Sequence, residues 1–332
     1  MTEPAERFRQ RLKSAGLSES AISAAWPEWW SEAADSSSSA LAELRFSVAR
    51  KLGLDPRSLF DDEAPRFIWD ESVKYKNFKG ADGERPAIAS FGTALANLLL
   101  AATPAIEASF NGLSAQELRA DMLAHGRPFI ELRDLMALSW GVGTPVVHLK
   151  VYPLGAKRMC AMSTRLRDRN AILLARDSEY PAPIAFHLAH EIAHIALGHV
   201  KEGSAIVDMT DAMESQELDD EESAADSYAL ELLTGSPKPD IVITGGGRNA
   251  AELAREAQSA GARRQIEPGT LALCAGFVTG DWPLANAALR HVYSKSQPVW
   301  AEVNGFAIKE MNLDRLTDES SSYVRAVLGA PA

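Results

Sequence analysis

The chain has 332 residues, 46% of them hydrophobic, two cysteines and a formal charge of −11. This length and apolar content allow a substantial core and two or three domains, and so few cysteines exclude a disulfide-stapled secreted module. The charge is uneven: acids crowd into Asp208 to Glu222 and the remainder is nearly balanced, so nucleic-acid binding is disfavoured overall but not locally.

Residues 1–123 read as a mostly helical region. In SALAELRFSVARKLGLDPRSLF (39–60), Leu41, Leu44, Val48 and Leu52 have helical spacing, Gly53 is a stop and Asp55-Pro56 a new start. This helix-turn-helix rhythm resembles the last part of a phage-repressor-type DNA-binding domain, without a visible recognition helix; two packed helices with no DNA contact is the preferred reading. Trp26, Trp29 and Trp30 are expected to fill an apolar seam. The longest apolar stretch, 87–102, is too short and too rich in Ala, Ser and Asn to span a bilayer, and no charged-then-apolar leader opens the sequence, so a cytoplasmic protein with no membrane partner is expected.

From about 124 to 236 the pattern changes. A helix (FIELRDLMALSW) precedes a β-rich run at 145–153, a loop or hairpin at 157–169 and a strand at 170–176; a helix follows from about 185 to 199 and another from about 220 to 233. This is an α+β arrangement, with strands leading into the helix that carries HLAHEIAH (187–194). Residues 237–332 read as a mixed α/β region, with a strand expected in DIVITGG and a helix in NAAELAREAQSAG.

Within the central helix, His190, Glu191 and His194 form H-E-x-x-H. Positions i and i+4 share a helix face, so both imidazoles can hold one Zn²⁺ while Glu191 reaches the water it activates. A catalytic zinc needs a third protein ligand and an open position. His199 lies one residue short of the extended histidine motif and off the binding face. Glu222 is the better third ligand: it shares a face with Asp226, which can hold a ligand histidine through its far nitrogen, whereas Glu221 is rotated about 100° away.

FHLAHEIAHIALGH (186–199) followed by EESAADSYALELL (221–233) resembles the ImmA/IrrE family of zinc metallopeptidases over roughly residues 130–235. The differences, at Ala224 and Thr234-Gly235, touch no candidate ligand. The resemblance implies a zincin-like domain of small sheet plus motif helix. It also implies a zinc endopeptidase that cleaves a helix-turn-helix (XRE-type) repressor and so relieves repression of a stress or anti-phage operon. Cys160 reads from sequence alone as a free structural cysteine in a basic loop, or else resembles the switch of the CapP branch, associated with anti-phage CBASS systems, in which a cysteine occupies the fourth zinc position and single-stranded DNA activates. The basic residues Lys157, Arg158, Arg165, Arg167 and Arg169 around it are then candidate DNA contacts. The competing readings are a DNA-binding or sensor regulator with a structural zinc site, which would have no use for Glu191, and an interaction protein whose peptidase fold serves docking.

Overall fold

The computed structural model describes residues 5–61, 64–68, 73–76, 84–155, 159–209, 219–239 and 249–331. Helices α1 (Ala5–Ser14), α2 (Glu19–Ala25) and α3 (Ser38–Leu52) precede strand β1 (Val73–Lys76), then come α4 (Glu84–Ala102), α5 (Ala115–Ala124) and α6 (Leu132–Gly141). Strands β2 (Val146–His148), β3 (Ala161–Leu166) and β4 (Arg169–Leu174) lead into α7 (Pro181–Ala196), β5 (Ser204–Asp208) and α8 (Asp220–Thr234). The chain continues through α9 (Ala250–Arg264), α10 (Pro268–Thr279), α11 (Trp282–Val292), α12 (Val299–Glu310) and α13 (Asp318–Leu328).

The α+β class is thus present, but two regions differ from expectation. The described residues from 249 onward form helices with no strand, and the strand expected in DIVITGG lies outside the described residues. Local capping makes the helices: Pro268 opens α10 while the Glu267 carboxylate accepts from Thr270 N at 2.7 Å, and Asp281 accepts from Leu284 N at 3.0 Å to start α11. The second difference lies just past Gly53. That glycine ends α3 at φ 69°, and a Cβ there would lie 2.3 Å from the Ser90 carbonyl oxygen. The chain then makes a four-residue 3₁₀ turn, Pro56–Leu59, tied back by a Leu54–Phe67 bridge, in place of a second α-helix.

The sheet runs β1-β5-β3-β4-β2, with β1 parallel to β5, β2 parallel to β4, and β3 antiparallel to both its neighbours. β3 and β4 form a hairpin whose two-residue turn, Arg167-Asp168, has φ angles of 54° and 58°. Glu202 stabilises this turn by accepting from both amides, at 2.6 and 2.9 Å.

Strand alternation divides the interior in two. Val146, Ala161, Ile172, Leu174 and Ile206 face a core built with residues of α5 to α12. Val147, Met162, Leu173 and Val207 face the other, built with α1 to α4, α13 and the far end of α12. Both cores therefore draw on all three segments, 1–123, 124–236 and 237–332. On the second face α4 presses close to the sheet: a Cβ on Gly92 would lie 2.3 Å from Met162 Sδ. By length and composition α4 could cross a membrane, yet 67% of its apolar window is buried here. Trp26 and Trp30 pack against the same core, whereas Trp29 stands exposed.

Candidate metal centre

α7 is buried on all sides, which suits a helix whose sequence is apolar all round apart from its histidines and one glutamate. It packs between α8, α6 and α10 on the first core, with β3 and β4 beneath. His190 and His194, one turn apart, bring their Nε2 atoms to 3.0 Å of each other. α8 begins where Asp219 accepts from Glu222 N at 2.9 Å, and this cap fixes the first turn so that Glu222 and Asp226 both face α7.

Glu222 then meets both imidazoles: Oε2 is 3.4 Å from His190 Nε2 and Oε1 is 3.3 Å from His194 Nε2. Asp226 accepts from His190 Nδ1 at 2.8 Å, which directs the opposite nitrogen, Nε2, toward the cluster. Glu221 points elsewhere and pairs with Lys74 at 2.8 Å and Lys76 at 2.9 Å. His199 is not among the converging donors; its Nδ1 lies 2.9 Å from His194 Nδ1, where it orients that ring from behind. Tyr228 is committed to packing, its hydroxyl donating to the Leu113 carbonyl at 2.9 Å.

The structure adds Asp208, which in the sequence is one acid in an acidic run. It ends β5 opposite Ala161 of β3, on the sheet face turned toward α7, and its Oδ2 is 3.4 Å from His190 Nε2. One donor atom from each of His190, His194, Asp208 and Glu222 lies within 4.8 Å of the others, and all four residues are buried. The available signal was the short run Ser204 to Asp208, two small residues and then two β-branched ones that end in an acid.

Cys160, the expected fourth ligand, is not in this group. It sits just before β3, its amide donating to the Asp208 carbonyl at 2.7 Å and its own carbonyl accepting from Ala175 and Arg176. Ala161 is the residue across from Asp208, so by alternation Cys160 falls on the opposite face. There its thiol neighbours Tyr152, whose hydroxyl pKa is raised by burial, by Asp177 and by Cys160.

Of the basic residues near it, Lys157 and Arg158 lie outside the described residues. Arg165 pairs with Asp168 at 3.0 Å, and Arg169 donates to the Leu100, Thr103 and Pro104 carbonyls at the end of α4. Arg167 is exposed at the hairpin tip.

The electrostatics of the centre suit a cation. Among the described residues, no well-formed hydrogen bond reaches either oxygen of Glu191, either oxygen of Asp208 or Oε1 of Glu222, though all are buried; Glu191 lies close to Asp208 and Ser163. Carboxylates buried without partners are costly, and a divalent cation among them would offset that cost. Burial, then the Asp208 charge, push the Glu191 pKa well above the usual carboxylate range, and burial raises Asp208 too. Against the same desolvation, His190 and His194 hold Glu222 far below its ordinary value. Burial would keep His190 neutral, but Asp226, Glu222 and Asp208 drive its pKa well upward. His187, also buried on α7, goes the other way, to about 3, through burial and the nearby Arg176 and His190.

The donor set fits a divalent transition metal. Two imidazole nitrogens and carboxylate oxygens suit such an ion, and ligands at roughly 2.0–2.1 Å from a tetrahedral centre stand about 3.3 Å apart. The shortest separations here, those of Glu222 made by its two different oxygens, are 3.0, 3.3, 3.4 and 3.4 Å, and the set as a whole lies within 4.8 Å.

Residues 179–245 match the family model described as Peptidase U49. None of the curated proteins and none of the solved structures matches the chain. The match covers well under half of the sequence and supports a peptidase relationship. The stretch that carries this likeness is also the one that brings His190, Glu191, His194, Asp208 and Glu222 together.

Proposed function

We propose that this protein is a zinc-dependent endopeptidase of zincin-like architecture, in which His190, His194 and Glu222 hold the metal and Glu191 is the general base. The observation that carries the reading is the buried Glu191 carboxylate, which no well-formed hydrogen bond from a described residue satisfies, beside His190, His194 and Glu222 at metal-ligand spacing. A structural zinc site has no use for such an acid. The match to a peptidase family over the same stretch supports it further.

When bound, the metal would polarise the scissile carbonyl and acidify the attacking water. Glu191 takes the proton from that water and passes it to the leaving amine, a role open to a buried carboxylate one residue from a ligand histidine. Asp226 and His199 hold the two imidazoles in the tautomers that leave Nε2 free to bind the metal.

The substrate class comes from the ImmA/IrrE resemblance: a helix-turn-helix repressor, with single-stranded DNA as the stimulus. Co-expression with the helix-turn-helix product of the adjacent gene, with and without single-stranded DNA, tests this finer reading; a repressor stable under both conditions would count against it. Glu191→Gln tests the chemistry. The variant should keep one zinc per chain and lose cleavage. A variant that retains full function would favour the second reading, a sensor with a structural metal, which the presence of a fourth donor, Asp208, supports.

A further inference from the structure

A hydrolytic metal must offer a coordination position to water and substrate, whereas a structural one is closed by four protein ligands. Here the described residues supply four donors. The fourth, Asp208, stands 3.4 Å from His190 Nε2, the same distance as Glu222 Oε2. Its main chain is fixed by ladders on both sides, paired with Lys76 of β1 and Ala161 of β3. Its side chain is not fixed in this way. His190 is held from behind by Asp226 and His194 by His199, but among the described residues no well-formed hydrogen bond reaches either oxygen of Asp208. Glu191, one residue beyond His190 on α7, is buried in the same centre.

We infer that Asp208 is a displaceable fourth metal ligand that closes the centre at rest. This rests on the proposal that His190, His194 and Glu222 hold a metal. In the exchange, the Asp208 carboxylate leaves the metal and one oxygen, from water or a substrate carbonyl, takes its place; no bond within the chain breaks. His190, His194 and Glu222 then remain as the permanent ligands.

The test uses the full chain loaded with one equivalent of cobalt(II), a visible-spectrum reporter of coordination, and titrated with acetohydroxamate, which binds only at an open position. The wild type should bind acetohydroxamate weakly. Asp208→Ala, and Asp208→Asn as the variant of matched shape in case the first folds poorly, should bind it at least about tenfold more tightly with a changed cobalt spectrum. They should also hold zinc at least about tenfold more weakly. Equal acetohydroxamate binding, spectrum and zinc affinity in wild type and Asp208→Asn would overturn the inference while leaving the metal centre standing. A wild type that takes up no cobalt or zinc would overturn both.

Discussion

The sheet separates two buried clusters of charge that solve the same problem differently. On the α3 and α13 side, Lys51 donates to Glu319 at 2.7 Å and to the Ala25 carbonyl at 3.0 Å; Ser47 donates to the same carboxylate, and the ammonium lies over the Tyr323 ring. On the α7 side, carboxylates of Glu191, Asp208 and Glu222 converge on two imidazoles and leave oxygens that no well-formed hydrogen bond from a described residue reaches. The first cluster balances its charge within the chain, as a structural element must. The second gathers carboxylates whose charge an added cation would balance. A buried ion pair alone is therefore a weak sign of function, whereas buried carboxylates left unpartnered are a strong one.

Removing the metal should separate the two most sharply. Chelation should abolish cleavage and lower the melting temperature by at least about 5 °C, since an ion that binds only the folded chain stabilises it. Zinc, restored to one equivalent, should recover both. A melting temperature indifferent to chelator and zinc would put the two clusters in the same class. Glu191→Gln comes next in size: turnover should fall by about 10²- to 10⁴-fold while zinc stoichiometry, measured by atomic emission, stays at one.

On the other side, Lys51→Ala should cost about 2–4 kcal/mol in urea unfolding, less than a fully buried pair because Glu319 is partly exposed. It should leave zinc binding unchanged. The double variant Lys51→Met/Glu319→Gln should recover most of that loss, because it removes both charges together. Asp226→Asn is smaller in effect, weakening zinc affinity by about 10- to 100-fold without dissolving the fold. If Lys51→Ala proved the more damaging to zinc binding, the division of roles would fail.

These two clusters also differ in how far they can be read from sequence. The spacing of His190 with His194 and of Glu222 with Asp226 is a helical spacing, local to one element, so shared faces are legible at once. Asp208 is hidden because its position depends on which residue of β3 it faces, a pairing across more than forty residues that no local pattern encodes. The same parity governs Cys160. Counting residues places it within reach of the metal, but one step along an extended strand turns a side chain to the opposite face. The helices after residue 249 are legible in their caps, at Pro268, Asp281 and Thr317, although the apolar pattern between them is not. Lys51 and Glu319 give no signal at all, since their contact joins α3 to α13 across nearly the whole chain.

Acid sharpens the contrast with the smallest expected effect. Burial opposes ionisation of Glu319, but the hydrogen bonds from Lys51 and Ser47 prevail and hold its pKa below the ordinary 4.5. The unfolded chain then binds the proton more tightly than the folded one. The contribution of this carboxylate to stability is therefore complete above pH 4.5 and declines as pH falls through the lowered value. In Lys51→Met/Glu319→Gln that part of the decline should vanish. The metal centre responds to acid by another route, because protons compete with the cation for His190, His194 and Glu222. Zinc release, followed with a chromogenic chelator in the same titration, should keep its midpoint in the double variant while the unfolding curve shifts. If both curves moved together, the two clusters would be energetically joined through the sheet, and the independence of its two faces would be refuted.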